Sequence, residues 1–208
     1  MELLEYYQDM KHWWGLSYGD ERNGEVGCKT FEDVVRNLPA EREARGKRAW
    51  KKGVFRFGHS ETNVFLVTLL GLYKDPLPLS TNHTAHNLQN RTFRTSNISP
   101  FASNIVFEVA RCQPPSLFSP SSSSSSNDLI RIIVNEQDAP RMKGCPEDSE
   151  WCPVGVFLEG VKGKVGCDWE EVCGVEGKDE DMDEDEDGEV DEWDEEDEDD
   201  DGPLVLQV

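Results

Sequence analysis

The 208-residue sequence predicts an α/β fold, a layered sheet with flanking helices, followed by a disordered acidic tail. Three observations predict it: short runs rich in β-branched residues, apolar residues at helical spacing, and a C-terminal stretch too charged to fold. From Asp179 to Asp201 there are 19 acidic residues and no basic one, which accounts for most of the net charge of -22. The acidity therefore belongs to the tail and says little about what the folded part binds. Only Met182, Val190 and Trp193 are apolar there. Such a stretch cannot bury enough surface to offset the entropy of ordering, so residues 174–208 are expected to be disordered. A Ser-rich run from Ser116 to Asn127 has as little to pack and reads as an inserted surface loop. Residues 1–173 are left as the expected folded domain.

The elements follow in order. Residues 2–14 place Leu3, Leu4, Tyr7, Met10, Trp13 and Trp14 at spacings of three and four, the pattern of an amphipathic helix ended by Gly15 and Gly19. Thr30, with Asp33 three residues later, predicts a capped short helix through Val34, Val35 and Leu38 to Pro39. The Arg- and Lys-rich stretch from Glu41 to Lys52 reads as a solvated connection. Val54–Phe57 is a short strand, and Glu61–Leu70, apolar nearly all round, is a buried helix closed by Gly71 and by Pro76 and Pro78. Residues 104–109 and 129–134 supply two further strands.

Chemistry and context converge at Gly58-His59-Ser60-Glu61-Thr62, a strand-to-helix turn. Ligands of open α/β sheets bind at the ends of strands, and helix-terminal amides favour anions there. A His at that turn can donate a hydrogen bond to a phosphoryl oxygen. A carboxyl can protonate a leaving alkoxide when its pKa is raised toward working pH. From spacing alone, the plainer account makes His59 a helix-entry residue and Glu61 a first-turn acid that complements the helix dipole.

Six cysteines, Cys28, Cys112, Cys145, Cys152, Cys167 and Cys173, are an even number, and four of them crowd into 29 residues. Their spacings miss the C-x2-C pattern of zinc sites and no His is near, so disulfides are favoured, with the pairing open. Sequons at Asn82, Asn90 and Asn97 join the cysteines in favouring an oxidising setting, the endoplasmic reticulum lumen or the outside of the cell. The N-terminal residues have no basic region and no apolar run of signal-peptide length. No stretch approaches the roughly 18 apolar residues of a membrane span.

The segment Val54-Phe55-Arg56-Phe57-Gly58-His59-Ser60-Glu61-Thr62 and the apolar helix after it resemble the His-Ala-Glu motif of multiple inositol polyphosphate phosphatases, within the clade-2 histidine phosphatases. Arg91-Thr92-Phe93-Arg94 leading into Pro100-Phe101-Ala102-Ser103-Asn104 is similar to that family's Arg-x-Phe-Arg and Pro-Tyr-Ala-Ser-Asn run. The strand ending Val134-Asn135-Glu136 resembles its late strand. Upstream, residues 14–19 and 28–33 look like the segment preceding the motif. The resemblance covers residues 1–140 in the family's order, and it implies part of a histidine-phosphatase layered sheet.

It further implies phosphomonoester hydrolysis of inositol polyphosphates such as inositol hexakisphosphate, a phytase-like reaction through a phosphohistidine without a cofactor. Carried over by position, His59 binds phosphate and Glu61 is the general acid, with Ser60 in place of the usual Ala. Arg91 and Arg94 become candidates for holding the polyanion, with surface cations as the alternative. No metal site and no nucleic-acid partner are expected. The family's Arg-His-Gly nucleophile motif occurs nowhere in the 208 residues, so the chain alone is not expected to turn over substrate. On this reading Met1 is an internal residue of a longer enzyme whose N-terminal part also carries the signal peptide.

The tail offers a second reading, a non-catalytic acidic secreted glycoprotein that binds calcium or basic partners. Residues 183–194 match a calcium-loop template at several positions, but Asp194 stands where a bidentate Glu belongs and no apolar helix flanks the stretch. A solvated polyanion with weak, delocalised cation binding is the favoured account. The final Leu204-Val205-Leu206-Gln207-Val208 is not a retention signal of the Lys-Asp-Glu-Leu kind.

Overall fold

The computed structural model describes residues 2–46, 53–82, 85–111, 128–142, 144–168, 172 and 204–207. The Ser-rich run, Cys112, Cys173 and the acidic stretch with its calcium-like loop lie outside the described residues. Within them the chain forms α1 (Glu2–Leu16), α2 (Arg22–Val26), α3 (Cys28–Arg36), α4 (Pro39–Ala44), β1 (Gly53–Phe55), α5 (Ser60–Leu70), α6 (Ala85–Asn90) and α7 (Thr95–Ile98). Then follow β2 (Ile105–Arg111), β3 (Asp128–Val134), β4 (Gln137–Asp138), β5 (Cys152–Pro153), α8 (Val154–Val161) and β6 (Leu204–Gln207). The strands form one mixed sheet in the order β1-β6-β2-β3-β4, with β5 also pairing β3. The predicted α/β class is what the chain adopts.

One element departs from the expectation for the tail. Residues 204–207 are a strand, parallel to β1 and antiparallel to β2, and so occupy an interior place in the sheet, next to the edge strand β1. The expectation of disorder up to residue 208 is corrected for these four residues. The physical reason is non-local: β1 and β2 do not pair with each other, and a strand between them satisfies the backbone groups of both.

β2 and β3 carry the sheet's longest pairing, antiparallel from Ile105↔Val134 to Arg111↔Asp128. Ile105, Phe107 and Val109 of β2 alternate into the core as the period of two requires. Phe31 of α3 touches both Phe107 and Phe157 of α8, with ring centroids 6.2 Å apart in each pair. Asn135 and Glu136 both have positive φ (50° and 66°) and connect β3 to β4 as a two-residue type I′ turn. The Asn135 side chain then ties the hairpin to its surroundings, accepting from the Asn104 amide at 2.9 Å and donating to the Asn97 carbonyl at 2.6 Å.

α5 ends as its sequence predicts. Gly71 takes the left-handed conformation (φ 75°), its amide donates to the Thr68 carbonyl and the Leu72 amide to the Val67 carbonyl, the double bond of a Schellman cap. The helix capped by Thr30 in the sequence reading begins three residues earlier than that pattern predicts, at Cys28. Gly27 explains the early start: an added Cβ there would lie 3.1 Å from the Phe65 backbone, so the chain enters α3 pressed against α5. The predicted solvated connection is also in part α4, and Arg42 is buried, which lowers its pKa. Two disulfides join Cys28 to Cys167 and Cys145 to Cys152, bearing out the preference for disulfides over zinc. They fit an oxidising compartment. Among the described residues no helix is long and apolar enough to cross a membrane.

Candidate active site

The turn between β1 and α5 places the motif. Gly58 lets the chain pass close to the helix it is about to enter, since a Cβ there would meet Thr62 Oγ1 at 3.2 Å. His59 is extended (φ -79°, ψ 159°) and its carbonyl accepts the first helical bond, from the Thr62 amide at 3.0 Å. Before this turn Arg56 donates from Nε to Asp33 Oδ2 on α3 at 2.5 Å, holding the strand end against that helix. After it, Ser99 donates to the Ser60 carbonyl (3.0 Å) and the buried Asn63 amide to Ser103 Oγ (2.8 Å). The segment carrying Phe101 is thereby fastened to the first turns of α5.

His59, Ser60 and Glu61 are all exposed. So are two large neighbours: Phe57, directly before the motif, and Phe101 are fully open to solvent. A catalytic carboxyl with a raised pKa needs burial or a neighbouring negative charge. Glu61 has neither, and its carboxyl is held below the usual glutamate range. Its own backbone amide at the start of α5 does most of this, the Ser60 hydroxyl (3.1 Å) adds to it, and His59 and His12 contribute less. The environment is therefore the reverse of the one general-acid chemistry needs.

Beside the motif lies an open cavity of about 350 Å³. Ser60, Glu61 and Val64 of α5 form one wall, Glu5, Gln8 and His12 of α1 another. Sequence reasoning misses the α1 wall. Its signal is the spacing of residues 5, 8 and 12, which share a helix face, but polar residues at that spacing equally describe a solvated face.

Arg91 and Arg94 are placed elsewhere. The Arg91 side chain is 1% exposed and donates from Nε to Asp9 Oδ2 at 2.7 Å; Asp9 is itself fully buried. Asp9 also accepts from the amide (2.8 Å) and hydroxyl (2.7 Å) of Thr95, capping α7. The Leu88 carbonyl and the face of Tyr6 take up more of the Arg91 guanidinium. Arg94 pairs with Glu5 at 3.4 Å and donates to the Gln89 carbonyl at 3.0 Å. Asp75, accepting from Thr92 and from the Phe93 amide, completes the anchoring of this segment. Neither arginine lines the cavity. Among the described residues no cluster of three His, Cys, Asp or Glu could hold a metal. Asn82, Asn90 and Asn97 are all exposed.

A family model described as the histidine phosphatase superfamily, branch 2, matches residues 2–135. Human multiple inositol polyphosphate phosphatase 1 is 34% identical over 144 residues, 67% of this chain and 28% of that protein. The protein of the same name from Gallus gallus is 27% identical over 174 residues, 83% of this chain and 37% of its own length. Phytase A of Aspergillus awamori is 30% identical over 117 residues, 55% of this chain and 23% of the phytase. The matches thus span less than two fifths of each of these relatives.

Proposed function

The chain belongs to branch 2 of the histidine phosphatase superfamily, and from that premise we propose that it provides the acid-and-binding half of a phosphomonoester hydrolase for inositol polyphosphates. The observation that carries this reading is the junction of β1 and α5, where Glu61 lines a cavity and His59, two residues before it and outside the cavity lining, is exposed. The names of the relatives, inositol polyphosphate phosphatases and a phytase, support the substrate class.

In the proposed reaction a histidine outside this sequence attacks phosphorus and the P–O bond to the inositol oxygen breaks. His59 donates a hydrogen bond to a non-bridging oxygen, and Glu61 gives its proton to the departing alkoxide. Glu61, now a carboxylate, takes a proton from the water that hydrolyses the phosphohistidine and is restored. The low pKa of Glu61 in the free chain is consistent with this role once a polyanion is bound. Phosphate charges within a few ångströms disfavour the carboxylate and draw its pKa upward. Arg94, at the edge of the Glu5 cluster, is the better placed of the two arginines to reach substrate, whereas Arg91 supports the fold. Glycans on Asn82, Asn90 and Asn97, in a lumenal or secreted enzyme, complete the proposal.

The open site and the exposed Phe57 and Phe101 agree with a face that further polypeptide covers. The test supplies it: this chain is joined to a segment bearing Arg-His-Gly, and phosphate release from inositol hexakisphosphate is measured. Release is expected in the joined protein and is expected to fall at least about a hundredfold in Glu61→Gln and in His59→Ala. A Glu61→Gln variant as active as the unchanged joined protein would overturn the assignment.

A further inference from the structure

The cavity beside Glu61 contains a group that the proposed reaction leaves unused. His12 reaches it from α1, one helical turn beyond Gln8. His12 Nδ1 lies 2.9 Å from the Gln8 carbonyl oxygen. A carbonyl can only accept, so in this contact Nδ1 is the donor, and Nε2 then carries a hydrogen only in the doubly protonated ring. Nε2 is thereby the ring atom left to meet a ligand.

The surrounding charges give this atom a purpose. Glu5, the other acid of the cavity, accepts from Ser96 at 2.8 Å and faces Arg94 and Arg91 at 3.4 and 3.6 Å. Its charge is balanced within the frame. Among the described residues no Lys or Arg pairs with Glu61, whose carboxylate is held by its own backbone amide, the Ser60 hydroxyl and the weaker fields of His59 and His12. A phosphate entering the cavity would meet the Glu61 carboxylate, and a cationic donor on the opposing helix offsets that repulsion.

We propose that His12, as the imidazolium, is a ligand-binding residue of this site, donating Nε2–H to a phosphate oxygen of an inositol polyphosphate held between α1 and α5. The inference rests on the reading of the chain as part of an inositol polyphosphate phosphatase. It adds to it a binding residue far before His59 in the sequence and on a different helix. An inositol ring with several phosphates presents more anionic groups than the one being cleaved, and the α1 wall is where a neighbouring phosphate meets a donor.

The test uses the full chain and inositol hexakisphosphate as the probe. The ring-proton resonances of the four histidines are followed by NMR through a pH titration, with and without the probe. Binding is measured by calorimetry for the wild-type chain, His12→Ala and Lys11→Ala. The expected result is a saturable displacement of the His12 ring-proton resonances as the probe is added. His12→Ala should weaken binding by about tenfold, the loss of one charge-assisted hydrogen bond. Lys11→Ala should stay within about twofold, because Lys11 is exposed and is not part of the cavity wall. If His59 responds to the probe and His12 does not, the role of His12 is overturned while the phosphatase reading stands. An equal loss in Lys11→Ala overturns it too, since binding is then a diffuse charge effect. If no histidine responds at millimolar probe, the role of His12 is overturned, while the phosphatase reading is decided separately by phosphate release from the joined protein. The titration is made on the wild-type chain, so it decides the matter even where His12→Ala folds poorly.

Discussion

Two regions of the chain hold ionisable side chains in opposite ways. Around Arg91 the charges are largely buried: Asp9 accepts from Arg91 and from both the amide and hydroxyl of Thr95, the Leu88 carbonyl accepts from Arg91, and Glu5 stands 3.6 Å from Arg91 Nη2, which makes no hydrogen bond. Around Glu61 the charges are open to water, and the Ser60 hydroxyl is the side chain bonded to the carboxylate. Both regions carry motifs that resemble the same family, yet one is closed into the fold and the other is open to solvent. The difference shows that an arginine in a phosphatase-like segment need not face phosphate. Burial next to a carboxylate from another helix can take up most of it.

The strongest way to break that contrast is to remove the cation from the closed region. Arg91→Met leaves Asp9 charged, buried and short of a partner, and should cost about 3–5 kcal/mol in urea unfolding. A further Asp9→Leu change should recover only part of this, because Asp9 also caps α7 through Thr95. If Arg91→Met unfolds at the wild-type urea concentration yet abolishes inositol hexakisphosphate binding, Arg91 belongs to the site after all.

A smaller effect is expected at the seam between the regions. Asn63 lies half a turn beyond Glu61 on α5, is buried, and donates to Ser103 Oγ at 2.8 Å. Asn63→Ala should cost about 1–2 kcal/mol. It should also loosen the turn that carries Phe101, seen as faster amide exchange at residues 101–104. A double-mutant cycle with Ser103→Ala isolates the pair, and a coupling indistinguishable from zero would show that the turn is held by other contacts.

How far these regions are legible in the sequence differs in the same way. The strand, glycine and all-apolar helix around His59 are local patterns, and local pattern is what a sequence displays. Gly71 and its cap are equally readable. The fate of Arg91 is not, because its partner Asp9 sits 82 positions earlier within a segment whose other residues read as an amphipathic helix. In the structure Leu3 and Leu4 of that helix are exposed and Asp9 is buried, the inverse of what apolar spacing predicts. His12 has no motif residues beside it in the sequence, although its neighbours in space are on α5. The strand at 204–207 is hidden by the acidic run before it. Its place depends on a gap between β1 and β2 that no local pattern reveals.

The smallest effect, and the sharpest in the open region, concerns Glu61 itself. Its folded pKa is lowered from the ordinary 4.5, so its ionised form stabilises the fold. That contribution is fully present above pH 4.5 and is lost as pH falls through the folded value. Because the carboxyl is exposed, Glu61→Gln should leave the urea midpoint at neutral pH unchanged within measurement scatter. The carboxyl carbon should titrate below 4.5 by NMR in the free chain. Ser60→Ala should move it upward without restoring it to 4.5, since the amide at the start of α5 is the larger cause. Bound inositol hexakisphosphate should move it further, because phosphate charge opposes ionisation. A Glu61 that titrates at the same pH with and without the polyanion would leave it a helix-capping acid and remove it from the chemistry.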